Sequence, residues 1–356
     1  MKIHLFIDSL CAGGAQRQLV GLAVLLKKKG HDVAVITYHK NDFYLSNLIE
    51  NDITHYYLSK AENKKLRIFH VIKQLHKDKP DVLISYLSTP NIIACIANCF
   101  VKNLKLIVSE RNTTQRIGKN ERIRFLLYRF ANIIVPNSCS QANFIKIYYP
   151  QLASKTVTIT NFVDTCFFKP TDNYHESSIP IIISVGRITP QKNILNYLEA
   201  LKKMVEKGLK FKAIWFGNTD QEEYYNSCKL LIEQLKLKNY FEFKPATKQI
   251  KEEYYKADIF CLPSIFEGFP NVLCEAMSCG LPVVCSNVCD NPSIVEEGQS
   301  GFLFDPYNVN EITSSIEQLL MLSKEKREAM KKFNRERAIE YFSEDAFVAK
   351  YLNIIE

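Results

Sequence analysis

Hydrophobic positions recur along this chain in two periods, and the two alternate. Residues 2–8 are a short apolar run, followed by Cys11-Ala12-Gly13-Gly14. Leu19, Leu22, Ala23 and Leu26 then fall at i, i+3, i+4 and i+7, the spacing of one helix face. Gly30, behind three lysines, is a helix stop. Residues 32–37 supply the next strand, so the order is strand, loop, helix, strand, the unit of a parallel sheet. Further strands are predicted at 81–85, 104–109 and 132–136. After a turn-rich stretch at 169–180 the pattern starts again. Residues 180–185 are apolar and β-branched, as in a strand covered on both faces. Gly186 and Arg187 end it, and a helix over about 193–207 stops at Gly208. Strands are predicted at 211–216, 240–243, 258–262 and 282–286, and a charged helical region at 311–355. The architecture this implies is α/β: two parallel-sheet domains facing a central cleft, with ligands beyond the carboxyl ends of the strands.

Composition agrees with two domains. The chain has 356 residues and is 47% apolar, enough for sizeable cores and too much for global disorder. Its net charge of +8 is uneven. The first 175 residues hold 24 Lys/Arg against 12 Asp/Glu (+12), and the rest hold 22 against 26 (−4). The halves are therefore expected to meet different partners. The longest apolar stretch, 91–101, is far short of the roughly 20 residues of a spanning helix. Asp8 interrupts any signal-peptide core. The closest cysteine pairs of the eleven, Cys95/Cys99 and Cys285/Cys289, lack the spacing of zinc sites, so reduced thiols of a cytoplasmic protein are expected. Ile123, Leu126, Leu127 and Phe130 share one helical face, expected to be core. Arg122, Phe125 and Arg129 share another, read as a surface for anionic lipid or as a solvated face. Lys64, Lys65 and Arg67 add to that charge. Nucleic acid is not expected, because aromatics do not interleave with the basic runs.

Candidate chemistry gathers behind the predicted strands. After 258–262 come Glu267-Gly268-Phe269-Pro270-Asn271-Val272 and then Glu275. Gly268 and Pro270 suit a loop, and Asn271 is expected to cap a helix over 272–279. Such a loop would aim N–H groups and a positive helix end at an anion, with both glutamates available to sugar or ribose hydroxyls. The plainer alternative is an acidic pair that complements the helix dipole. After 180–185, Arg187 and Lys192 suit a diphosphate, or form a solvated surface pair. Gly13 and Gly14, with Arg17 behind them, would let a ligand approach the backbone, though many Gly-Gly turns only turn the chain.

Together these segments resemble the family 4 retaining glycosyltransferases, which have the GT-B fold. The resemblance runs in order through Gly13-Gly14-Ala15-Gln16-Arg17, the segment from Gly186-Arg187 to Lys192-Asn193, Glu267-Gly268-Phe269-Pro270-Asn271 with Glu275, Gly280-Leu281-Pro282-Val283-Val284 and Gly298-Gln299-Ser300-Gly301-Phe302-Leu303. Val135-Pro136-Asn137-Ser138 and Thr160-Asn161-Phe162-Val163-Asp164 match family landmarks as well. The resemblance implies two Rossmann-like domains, an acceptor-side one at 1–168 and a donor domain at 169–339, with a helix at about 340–356 packing back on the first. It implies that Arg187 and Lys192 hold the donor diphosphate and offset charge on the departing nucleotide. Gly13 and Gly14 would approach the donor from the first domain. Glu267 would contact the donor sugar, with Gly268, Phe269, Pro270, Asn271 and Val272 around it, and Glu275 would hold the ribose. Glu267, Arg187 and Lys192 are thus the catalytic candidates.

No Asp-x-Asp pair occurs, so neither a metal nor another cofactor is expected, and front-face attack is favoured, with the leaving phosphate taking the acceptor proton. On the acceptor side Arg17, Glu110 and Arg111 are candidates. Many relatives have a histidine near 106–112, whereas here no histidine occurs between His76 and His175. Phe243-Lys244-Pro245 replaces a glycine usual in relatives near the nucleotide base. A UDP-hexose or UDP-N-acetylhexosamine donor is expected, with GDP-mannose, or a non-catalytic nucleotide-sugar binder, as alternatives. The acceptor expected is a lipid-linked glycan of surface polysaccharide or O-antigen synthesis, met at the inner face of an anionic membrane. An oxidoreductase would need a Gly-x-Gly-x-x-Gly turn that Gly13-Gly14-Ala15 does not supply.

Overall fold

The computed structural model describes residues 1–114, 116–171 and 179–356, so most of the turn-rich stretch at 169–180 lies outside the described residues. The chain forms two compact units, Met1–Asn161 with Phe347–Glu356, and Phe162–Ala346. The first unit holds β1 (Lys2–Phe6), β2 (Asp32–Thr37), β3 (Thr54–Tyr57), β4 (Val82–Tyr86), β5 (Lys105–Glu110) and β6 (Ile133–Pro136). They pair in the order β3-β2-β1-β4-β5-β6, all parallel. The second holds β7 (Ile181–Val185), β8 (Lys212–Phe216), β9 (Phe241–Lys244), β10 (Ile259–Leu262), β11 (Val283–Ser286) and β12 (Gly301–Phe304). Its order, β12-β11-β10-β7-β8-β9, is the same winding, again parallel. Each sheet reverses its strand order once, at β1/β4 and at β7/β10. In such sheets the crevice at that reversal takes the ligand.

The apolar runs make these strands because both faces are covered. In the second unit Ile182, Cys261 and Val284 enter one core. Their neighbours Ile183, Phe260, Leu262, Val283 and Cys285 enter another. That alternation is the two-residue period of a strand with a hydrophobic layer on each side. Two strands have no counterpart in the sequence reading, the edge strands β3 and β12. Thr54-His55-Tyr56-Tyr57 is half exposed and carries no apolar run. β12 lies so close to β11 that a Cβ on Gly301 would sit 1.6 Å from Val283 O, which only glycine permits.

Helices follow their expected stops, with corrections. Ile194–Glu206 ends before Gly208, whose φ of 79° is left-handed. The helix behind β10 is Asn271–Ser278, with Pro270 at its N-cap and no side-chain cap, so Asn271 opens the helix rather than capping it. The helix Lys119–Leu127 departs from its expected faces in part, since Arg122 and Arg129 are exposed and Leu127 packs against the core as expected, but the other positions are exchanged. Phe125 is fully buried, while Ile123, Leu126 and Phe130 are 52%, 56% and 38% exposed. Val163 and Phe168 are buried in the second unit, so that unit begins ahead of 169. The last helix, Glu344–Ile355, joins the first unit through Tyr351 Oη to Tyr86 Oη at 2.8 Å and Lys105 Nζ to Ile355 O at 2.7 Å. All eleven cysteines are free thiols. No helix among the described residues is long and apolar enough to cross a membrane.

Candidate active site

At the β7/β10 reversal two loops leave neighbouring strands side by side. The loop after β7 carries Arg187 and Lys192, and the loop after β10 carries Glu267. Lys192 Nζ lies 2.5 Å from Glu267 Oε1, with both side chains largely shielded from solvent. Gln191 staples the loops together. Its carbonyl accepts from Ile265 N at 2.8 Å, and its Nε2 donates to Phe266 O at 2.8 Å. The approach depends on two glycines. A Cβ on Gly186 would meet Lys192 Cε at 2.8 Å, and one on Gly217, just after β8, would meet Gly186 O at 1.9 Å. Trp215 Nε1 donates to that same carbonyl at 2.9 Å. Asn193 takes the left-handed φ of 59° and donates from Nδ2 to Pro306 O at 2.7 Å, turning the chain into its helix.

The two cations differ in setting. Lys192 is enclosed in its ion pair, whereas the Arg187 side chain is 69% exposed, with Asp220 Oδ2 3.9 Å away. Within the loop after Glu267, Phe269 and Pro270 are buried. The Phe269 ring packs edge-on against Phe342 at 5.8 Å, so it anchors the loop in the core. Gly268, Asn271 and Val272 are half-buried at the helix start, and Glu275 is buried one turn in. This is an enclosed lysine, an exposed arginine and a helix N-terminus around one carboxylate, at the carboxyl ends of parallel strands. It suits a ligand with a diphosphate and several hydroxyls.

In the first unit, Gly13 has ordinary extended backbone (φ −145°, ψ 155°) and precedes the helix Gly14–Lys28. Its small size matters more than its freedom. A Cβ there would lie 2.2 Å from Gln16 Oε1, whose amide donates to Asp8 Oδ1 at 3.2 Å. Arg17 is on the exposed side of that helix. Glu110 and Arg111 are both buried, so neither candidate stands at the surface. Glu110 accepts from Tyr128 Oη and pairs with Arg124 Nη2 at 3.3 Å. Burial pushes its carboxyl above the usual range, with Arg124 opposing. The Arg111 guanidinium lies 3.8 Å over the Tyr86 ring, and its Nη1 donates to Asn161 Oδ1 at 3.0 Å. Both residues thus brace the end of β5 from inside. Arg124 extends the brace to Ser88 Oγ at 2.6 Å. Beside Ser88 opens a cavity of about 640 Å³ at the strand ends of this unit, lined also by Asp8, His39, Lys64 and Arg67.

Sequence reasoning missed Gln191, Gly217 and Arg124. Gln191 stood inside a segment already singled out, between Arg187 and Lys192, but its staple joins residues 75 apart. Arg124 could have been suspected from a lone carboxylate at the end of a strand that is apolar throughout its middle. Among the described residues no group of three or more His, Cys, Asp or Glu is gathered as metal ligands.

Known proteins match this chain over nearly its whole length. The model of glycosyltransferase family 4 matches residues 12–167, and that of the glycosyl transferases group 1 matches residues 170–337. A Campylobacter jejuni enzyme is 30% identical over 297 residues, 78% of this chain and 77% of its own. It is named GalNAc-alpha-(1->4)-GalNAc-alpha-(1->3)-diNAcBac-PP-undecaprenol alpha-1,4-N-acetyl-D-galactosaminyltransferase. A second from the same organism, named as an N-acetylgalactosamine-N,N'-diacetylbacillosaminyl-diphospho-undecaprenol 4-alpha-N-acetylgalactosaminyltransferase, is 26% identical over 90% of both chains. In fold, the chain is similar to the Anabaena protein HepE in complex with UDP, with a TM-score of 0.88 at 20% identity, covering 100% of this chain and 99% of that one. By these matches, and by two Rossmann-like sheets with the motifs at their strand ends, the chain belongs to glycosyltransferase family 4 and is a glycosyltransferase of GT-B fold.

Proposed function

We propose that this glycosyltransferase moves a hexose or N-acetylhexosamine from a UDP donor to a lipid-linked glycan, with retention of configuration, in surface polysaccharide or O-antigen assembly at the inner face of a membrane. The observation that carries the reading is the Lys192–Glu267 pair, stapled by Gln191 at the β7/β10 reversal. A diphosphate entering there would take over the Lys192 ammonium and draw in the exposed Arg187 guanidinium. Both charges would act on the departing phosphate as the bond to the anomeric carbon breaks. The acceptor hydroxyl would then attack from the same face, its proton passing to the leaving phosphate oxygen. Glu267 and Glu275 would hold sugar and ribose hydroxyls. The UDP donor is supported by the solved neighbour that holds UDP, and the lipid-linked acceptor by the names of the Campylobacter relatives. Of the acceptor-side residues Arg17 alone is solvent-facing, and the cavity beside Ser88 is the acceptor's place in this reading.

A panel of sugar nucleotides tests this, read as slow hydrolysis and as protection against thermal unfolding. UDP-sugars should protect and be hydrolysed, with the product sugar's anomeric configuration unchanged by NMR. Protection by GDP-mannose alone would overturn the base, and protection by none would overturn the donor site. Since side chains carry the charge, turnover should survive excess chelator. Loss that magnesium or manganese restores would sink that part of the mechanism.

A further inference from the structure

One surface of the first unit is not absorbed by donor or acceptor. On the helix Lys119–Leu127 and the turn behind it, Ile123, Leu126 and Phe130 point to solvent, 52%, 56% and 38% exposed. Exposed Lys119, Arg122 and Arg129 flank them. The one acid of this helix, Glu121, is turned back to accept from Gly118 N at 3.0 Å. This orientation is fixed from inside, because the Phe125 ring stacks on Tyr149 at 4.4 Å and meets Tyr128 at 5.5 Å. Beside Arg129 and Phe130 opens a cavity of about 620 Å³, whose lining among the described residues holds Lys105, Arg129, Lys155 and three asparagines, and no carboxylate. Hydrogen bonds tie the turn of Phe130 to the cavity wall. Lys155 Nζ donates to Arg129 O at 2.8 Å and Ala131 O at 2.9 Å, and Asn98 Nδ2 donates to Phe130 O at 2.9 Å.

We propose that this face seats the protein on a bilayer bearing anionic phospholipids. Ile123, Leu126 and Phe130 enter the headgroup boundary, and a lipid phosphate occupies the cavity of Lys105, Arg129 and Lys155. Three apolar side chains on a nine-residue helix can lie in an interface but cannot span it. Cations on both flanks outnumber the one acid of the helix, Glu121, which is held by Gly118 N, and so select a negatively charged surface. A second copy would set these cations against their own kind, which disfavours self-association. Nucleic acid would need stacking rings, and Phe130 is the one aromatic among the three. The inference deepens the membrane location in the proposed function, on which it rests, by naming the surface and the lipid charge, and it can fail or stand without the donor and acceptor assignments.

The test is co-sedimentation of the full chain with vesicles of phosphatidylcholine, alone or mixed with phosphatidylglycerol. Binding is expected to the mixed vesicles only, and to be lost near ~0.5 M salt, where screening shortens to roughly 4 Å. Ile123→Ser with Leu126→Ser, and separately Arg122→Gln with Arg129→Gln, should each weaken vesicle binding at least about tenfold. These exposed changes should leave thermal unfolding and nucleotide-sugar hydrolysis in solution unchanged. Equal or negligible pelleting with both vesicles would overturn the proposal, as would undiminished binding by both variants. A wild-type dimer abolished by the Ile123/Leu126 change would assign the face to a second copy instead. Normal vesicle binding without hydrolysis of any sugar nucleotide would sink the donor reading and leave this one intact.

Discussion

Lys192 and Glu267 sit 2.5 Å apart where little water reaches them, while Arg187 stands in solvent. The same diphosphate role therefore predicts different side effects. Lys192→Ala should lower turnover about 10²-fold or more and also destabilise the fold by roughly 1–3 kcal/mol, because it removes the ammonium that faces the shielded Glu267 carboxylate. Arg187→Ala should lower turnover about 10²-fold with unfolding unchanged, since an exposed pair contributes little to stability. Steady-state hydrolysis with thermal melts separates the two, and near-wild-type turnover in both would remove the diphosphate assignment. Glu110 gives a second prediction at this scale. Its carboxyl is already pushed up by burial, with Arg124 opposing. Arg124→Met would leave a buried uncompensated charge, a loss of about 3–5 kcal/mol at neutral pH. With its partner gone, Glu110 would titrate still higher in the folded state than in the unfolded one. Below the unfolded value both states are protonated, so the loss should shrink as pH falls. Denaturant titrations of both proteins at pH 7 and near pH 4 check this. An equal loss at the two would mean that Arg124 acts by packing alone.

At the scale of elements, the periodicity reads those whose environment is uniform. Central strands such as β4 are buried along their whole length, and their apolar runs say so. Of the four edge strands, all four residues long, β6 and β9 are legible, whereas β3 is half exposed without an apolar run and β12 opens on Gly301, which reads as a turn. The helix Lys119–Leu127 shows why a spacing can mislead. Ile123, Leu126, Leu127 and Phe130 fit a core face, yet Glu110 under that helix needs a cation. Arg124 turns inward to meet it, and Phe125 and Tyr128 follow. One buried charge outweighs the apolar count of the competing face, because leaving it unpaired is the more costly arrangement. The donor residues were legible singly, as cations and carboxylates behind strands. Their meeting was not, because only the crossover that sets β10 beside β7 brings Lys192 to Glu267. Gly217 tests that packing. In Gly217→Ala the new methyl would lie 1.9 Å from Gly186 O, so the ends of β7 and β8 must part. A destabilisation of about 1–3 kcal/mol is expected, with weaker protection by sugar nucleotides although Gly217 is itself no donor contact. Unaltered protection would show that the Arg187–Lys192 loop does not depend on that approach.

Over the whole molecule, the first unit carries both the excess of positive charge and a buried titrating group within its sheet. His4 lies in β1 with its side chain fully enclosed. Neither ring nitrogen has a hydrogen-bond partner among the described residues, and Asp78 Oδ2 is 3.8 Å from Nε2. Burial outweighs the attraction of Asp78 and holds the imidazole down at about 4. In the unfolded chain it titrates near 6.5. Between those values the unfolded state binds the proton and the folded state does not, so stability rises with pH across the window and is complete above about 6.5. Acidification from pH 7 to 4 should therefore remove roughly 3 kcal/mol from the first unit through this one ring. Among its described residues the second unit has its own two hydrophobic cores and no such histidine in a strand. Acid should thus loosen the first unit before the second. Unfolding in urea at pH 7, 5.5 and 4 would show this as an early transition that moves with pH. His4→Leu removes the titration while keeping an apolar side chain in the sheet, so that transition should lose about 3 kcal/mol of its pH dependence. If the slope between pH 6.5 and 4 is the same in both proteins, the acid sensitivity belongs to the carboxylates, and His4 is only a packed ring.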